Sequence, residues 1–206
     1  SAIWRCLGYS LIMAIAINGT GTITGITSGG LPDGIITEAD LATGVNAITH
    51  YDSWRVSAEW TGDADPIASN WERAIDANGE DGYGTIGTAM TESSGVFTFP
   101  VTGIWKIEFA AMAESPDGDP TQWAQIRIQT NGTGSFQALS QTNHTTGGDS
   151  GAVTYASLYQ SIALDVTDVS VWKVRFRATT QDSSTVWKAS SDLNRVYVNF
   201  LRIGAT

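Results

Sequence analysis

The stretch GVFTFPVTGIWKIEFAA, residues 95–111, decides how this chain is read. Apolar and polar residues alternate through it, the period of a strand with one buried face. Phe97, Phe99 and Val101 fall on one side. After a Thr-Gly turn, Trp105, Ile107 and Phe109 face inward against Lys106 and Glu108. Pro100 stands where the first strand is ending, a place where a missing amide donor is tolerated.

The same period recurs from Tyr51 onward. SWRVSAEW puts Trp54, Val56, Ala58 and Trp60 on one face, opposite Arg55, Ser57 and Glu59. QIRIQ alternates Ile126 and Ile128 with polar neighbours, and VSVWKVRFRA groups Trp172, Val174 and Phe176. Many short strands separated by turn signals predict an all-β sandwich or barrel. The closing segment RVYVNFLRI, residues 195–203, is apolar on both sides: Val196, Val198 and Phe200 on one, Tyr197, Leu201 and Ile203 on the other. A strand of that kind has to be covered on both faces, by another element or another copy.

Bulk composition sets the bounds. A chain of 206 residues with 8 tryptophans can bury a core without covalent staples. Its single cysteine, Cys6, excludes an intrachain disulfide. A net charge of -10 speaks against nucleic acid, which demands clustered Lys and Arg. Lys173, Arg175 and Arg177 come nearest to a cluster, and they alternate along one strand as a solvated face would. No stretch supplies the roughly 18 apolar residues of a membrane-spanning helix, so no membrane insertion is expected.

Residues 1–50 read as an arm and residues 51–206 as a head. Met13 is the expected start of a self-sufficient segment, with residues 1–12 an upstream extension. INGTGTITGITSGGLPDGIITEADLATGV is rich in Gly and Thr and too poor in apolar residues for its own core. Within it GGLPDG reads as a turn, and TEADLATGV as a brief helix capped by Thr37.

The opening stretch resembles the signature strand pair of the jelly-roll superfamily of complement C-one-q heads and tumour necrosis factor, Gly-x-Phe-x-x-Pro-x-x-Gly-x-Tyr-x-Phe. Gly95, Phe97, Pro100 and Gly103 match in register, with Trp105 and Ile107 in place of the Tyr and Phe. SLYQSIALDVTDVSVWKVRF and DSSTVWKASSDLNRVYVNFLRI resemble the family's later strands, with Asp165–Asp168 where a Gly-Asp turn is usual. The resemblance implies a TNF-like jelly-roll β-sandwich, homotrimeric, whose closing strand lies in the inner sheet. Tyr197, Phe200, Leu201 and Ile203 are then the residues that meet sister copies.

The arm is similar to the openings of tailed-bacteriophage fibre and appendage proteins. That similarity implies a structural component at the virion surface, anchored to other virion proteins through the arm at Leu31, Pro32 and Asp33. The head would serve as fibre, capsid decoration or host-attachment module, meeting a host-surface glycan or protein. A secreted bacterial adhesin or lectin-like module with the same trimeric head is the alternative, and a serine protease acting through Ser150 the remote one.

Enzymatic motifs are imitated rather than present. GDSG, residues 148–151, copies the nucleophile motif of trypsin-like proteases around Ser150, but His50 lacks the surrounding sequence of a triad base. His144 lies six residues before Ser150, in what reads as the same loop. No catalytic residue and no organic cofactor is expected. DANGEDG, residues 76–82, fails the calcium-loop pattern, with Asp81 where glycine is needed. Asp63, Asp65, Asp117 and Asp119 gather in loops and are the candidates for a calcium ion, some members of the superfamily binding calcium in the head. Trp123, Trp187 and Tyr155 are candidates for contact with sugars.

Overall fold

The computed structural model describes residues 48–74, 84–116, 122–132, 134–145 and 151–206. All the strands that follow belong to the unit Asn46–Thr206. Residues 1–47 of the arm, with Leu31, Pro32 and Asp33, lie outside the described residues, as do Asp117, Asp119 and Ser150.

Among the described residues the chain forms only strands, in two antiparallel sheets. They are β1 (Tyr51–Val56), β2 (Trp60–Thr61), β3 (Trp71–Arg73), β4 (Thr91–Ser93), β5 (Val96–Thr98) and β6 (Gly103–Ser115). Next come β7 (Trp123–Thr130), β8 (Gln137–Thr145), β9 (Thr154–Val166), β10 (Lys173–Thr180), β11 (Val186–Trp187) and β12 (Tyr197–Gly204). One sheet runs β2-β11-β6-β12-β1-β3, and β9 pairs with the other edge of β6. The second runs β4-β5-β10-β7-β8. The expected all-β sandwich is therefore present.

The quoted stretch supplies one strand to each sheet. β5 pairs with β10 in the five-stranded sheet, and β6 pairs with β9 over residues 103–115 in the other. Phe97 and Phe99 thus reach the core from one layer, Trp105, Ile107 and Phe109 from the opposite one, and all five are buried. Phe97 sits at the centre, with ring centroids 5.6 Å from Trp54, 5.2 Å from Trp71, 5.5 Å from Phe176 and 5.2 Å from Phe200. Edge-on aromatic packing of this kind adds to the burial of large apolar area.

Both glycines of the stretch have steric reasons. Ser94 and Gly95 form the two-residue turn between β4 and β5, with φ of 53° and 80°, the left-handed pair of a type I′ hairpin. A Cβ at Gly95 would also run into the carbonyl oxygen of Ile67. At Gly103 (φ 144°) a Cβ would collide with the Arg202 side chain and the carbonyl of Gly204 on β12.

Three expectations are corrected. The alternation of SWRVSAEW does not continue as one strand: β1 stops at Val56, Ala58 is exposed, and β2 begins at Trp60. His144 is in β8, opposite Ala124, and not in a loop. Phe200 lies inside, 0% exposed, with its ring against Phe97, Phe99 and Phe176, so it has no surface to offer a second copy. Side-chain parity accounts for this: Phe200 shares its face of β12 with buried Val198.

Candidate self-association face

Register places four strands, β1, β12, β6 and β9, side by side on the outer face of the larger sheet. Ser53 stands opposite Asn199, Asn199 opposite Glu108, and Glu108 opposite Ser161. Flanking rows bring Tyr51, Leu201, Lys106 and Ala163 into line, and then Tyr197, Ala110 and Tyr159. The face is thus built from alternate residues of strands far apart in sequence.

A hydrogen-bond ladder crosses it. Ser53 Oγ donates to Asn199 Oδ1 at 2.8 Å, and the Tyr51 hydroxyl donates to the same oxygen at 3.3 Å. Asn199 Nδ2 donates to Glu108 Oε2 at 3.1 Å, while the Tyr159 hydroxyl donates to Glu108 Oε1 at 2.9 Å. Lys106 Nζ lies 2.7 Å from Glu108 Oε1. Burial raises the Glu108 carboxyl, but hydrogen bonds from Lys106, Asn199 and Tyr159 outweigh it, so its pKa lies below the ordinary 4.5. The charges of this row are satisfied within the row.

Around the ladder the surface is apolar and aromatic. Tyr155 is 56% exposed, Tyr159 53% and Ile203 56%, while Tyr197 and Leu201 are half-buried. A shallow groove of about 320 Å³ is lined by Tyr159 and Tyr197 together with Ala110, Met112, Ser157 and Arg195. Of the interface residues expected from sequence, Tyr197, Leu201 and Ile203 lie on this face together. Tyr159, Glu108 and Asn199 complete it, and sequence reasoning missed them as site residues because nothing short of the strand register brings them into one row.

Glu108 gives the face a pH dependence. A carboxyl whose folded pKa is depressed contributes stability above the unfolded value and loses it as pH falls through the folded one. Glu108→Gln is expected to lower stability by about 1–2 kcal/mol at pH 7. That difference should shrink below pH 4.5, the ordinary value of the group. Thermal unfolding of both proteins from pH 7 to pH 3 measures it, and a gap that stays constant with pH counts against the ladder.

The other candidates are employed elsewhere. Asp63 Oδ1 accepts the Thr180 amide at 2.8 Å, and Asp65 pairs with Arg175 at 3.2 Å and Arg177 at 3.3 Å. Among the described residues no group of three or more His, Cys, Asp or Glu is placed to hold a metal. Trp187 is fully buried, stacked on Trp60 at 5.7 Å and donating from Nε1 to the Gly62 carbonyl at 3.0 Å, so it cannot touch a sugar. Trp123 and Tyr155 are exposed, but on different sheets. His50 packs against Trp105 at 5.8 Å, and burial, then nearby Arg202, hold its imidazole below the ordinary value. Among the described residues no helix is long and apolar enough to cross a membrane.

Two sheets in this order, with the closing strand between the first strand and β6, define a TNF-like jelly roll. Solved structures agree on the fold. Eiger TNF from S. frugiperda superposes with a TM-score of 0.55 at 8% identity, over 78% of this chain and 96% of that one. Murine APRIL at pH 5.0 gives a TM-score of 0.52 at 10% identity, over 75% of this chain and 98% of that one. No family model and no curated protein matches the sequence. At such identities the likeness is one of architecture.

Proposed function

We propose that this chain is a non-enzymatic structural protein whose head assembles as a homotrimer through the outer face of the larger sheet. The observation that carries the reading is the composition of that face. Exposed Tyr159 stands across Ala110 from Tyr197, and Leu201 flanks the polar row, whose Glu108 is already paired with Lys106. Aromatic residues, tyrosine among them, are enriched at interface centres. Burying Glu108 there leaves no unpaired charge, because Lys106, Asn199 and Tyr159 go with it.

The setting we propose is the surface of a bacteriophage virion, as fibre, capsid decoration or appendage. The arm attaches the head to other virion proteins, and the head meets the host. This rests on the similarity of residues 13–50 to appendage openings.

Solution mass tests the assembly. The full chain should sediment as three copies, and Leu201→Asp should give a folded monomer, because the new carboxylate faces outward and not into the core. A wild-type chain that stays monomeric at tens of micromolar (about the range where an interface of micromolar Kd is filled) would sink the reading. Immunogold labelling of intact particles tests the setting, and unlabelled particles would reject it.

A further inference from the structure

We propose that the outer face of the five-stranded sheet binds an anionic polysaccharide through Arg127, Arg175 and Arg177, with Trp123 and Phe136 as stacking surfaces. This deepens the attachment role proposed above, and it uses the sheet opposite the self-association face.

The chain has 11 Lys and Arg against 21 Asp and Glu, yet four of its cations share this one face. Lys173, Arg175 and Arg177 occupy alternate positions of β10, and β7 places Arg127 directly opposite Arg177. Like charges at opposed positions repel across about 5 Å. Among the described residues, Asp65 is the only carboxylate within ion-pairing distance of the four, 3.2 Å from Arg175 and 3.3 Å from Arg177. At Arg177 Nε that approach lacks hydrogen-bond alignment. Among the described residues Arg127 has no carboxylate within ion-pairing distance, and its Nε is buried without a hydrogen-bond partner. A guanidinium N–H left in that state costs stability unless an acceptor arrives. Three arginines of this face therefore have one carboxylate between them, Asp65, which Arg127 does not reach, and the surplus positive charge is what an anion can meet.

The rest of the face identifies the ligand class. Gln141 stands opposite Arg127, Asn143 opposite Gln125, and Gln129 accepts from Arg175 Nε at 2.8 Å. The ring of Phe136 lies 4.5 Å from the Arg175 guanidinium. Trp123, 37% exposed, is on the Arg127 side of β7 four residues away, about 13 Å along the strand. The exposed amides of Gln141 and Asn143 suit sugar hydroxyls, flat rings suit the C–H face of a sugar, and the guanidinium fork suits sulfate, phosphate or carboxylate. A uniformly charged polymer such as a nucleic acid would meet the repulsion of the chain's net charge of -10. A sugar chain with spaced anionic groups meets less of it.

The test is calorimetric titration of the full chain with dextran sulfate of low sulfate content, unmodified dextran and inorganic polyphosphate at low and high salt. Dextran sulfate should bind, more weakly as salt rises, and unmodified dextran should not. Arg127→Gln with Arg177→Gln should weaken binding by about tenfold or more, the scale of a lost charge-assisted pair. Arg127→Gln alone should not lower thermal stability, since it removes the repulsion from Arg177, whereas the double variant also gives up the Arg177–Asp65 pair. Trp123→Ala should weaken binding of dextran sulfate and leave polyphosphate unaffected. Absence of dextran sulfate binding, or undiminished binding by the double variant, overturns the proposal. Equal binding of both polyanions, insensitive to Trp123→Ala, overturns the assignment to a saccharide. Affinity is scored per chain, so a monomeric wild type would reject the trimer and leave this result standing.

Discussion

Phe200→Ala is expected to cost about 3–5 kcal/mol of folding stability, the range for emptying a large aromatic site in a core. Its ring is fully buried and meets Phe97 at 5.2 Å, Phe176 at 6.1 Å and Phe99 at 6.4 Å, so three aromatic partners from the opposite layer lose it at once. Backbone pairing of Phe200 to Asp52 and Ile107 holds the position between two neighbours, which limits collapse of the gap. Domains are stable by about 5–15 kcal/mol in total, so this loss takes a fifth or more of the margin. Phe200→Asp should unfold the chain outright. Leu201→Asp, one residue on and facing the other way, should change the solution mass and spare the fold. Denaturant midpoints and sedimentation on the same three proteins check this. An unchanged midpoint for Phe200→Ala would refute the placement of the ring, and three identical phenotypes would refute the division of β12 into an inner and an outer face.

How much of this was readable beforehand follows from burial. β5, β6, β10 and β12 each have one face in the core, so their side chains alternate and the period shows in the sequence. β8 has no fully buried residue, and QALSQTNHT therefore carries no apolar period to betray a strand. β4 is three residues long and is made recognisable by its turn, Ser94-Gly95, more than by its own composition. The break at residues 57–59 was hidden because alternation happens to run on through Ala58 while the chain leaves the sheet.

The site divides along the same line. Parity within β12 was enough to put Tyr197, Leu201 and Ile203 on one side, and parity properly applied also puts Phe200 on the other. The partners across the sheet were not readable, since Glu108, Asn199 and Tyr159 come together only through the register of β12 on β6 and β6 on β9. Arg127 was overlooked for the same reason. In sequence it is one cation in QIRIQ, and only the β7–β10 register sets it against Arg177.

The second large effect is expected at Asp52, a carboxylate 2% exposed near the start of β1. Three donors converge on its Oδ2: the Met90 amide at 2.9 Å, Trp54 Nε1 at 3.0 Å and the Arg73 guanidinium at 3.3 Å. The Thr85 hydroxyl donates to Oδ1 at 3.3 Å. One side chain therefore ties β1 to β3 and to the segment entering β4. Asp52→Ala strands the buried Met90 N–H and the indole N–H and removes the counter-charge of Arg73, which should cost about 3–5 kcal/mol. Asp52→Asn is the instructive comparison. Its carbonyl oxygen can take the place of Oδ2, and its amide can turn to the Thr85 hydroxyl, which accepts as well as donates. Every hydrogen bond survives and only the charge is lost, so the cost should be about 1–2 kcal/mol. Denaturant unfolding of both variants reads the difference. A large gap between Ala and Asn assigns the stabilisation to the hydrogen bonds converging on Oδ2, whereas equal losses would assign it to the ion pair with Arg73, whose side chain is 38% exposed and so partly screened by water.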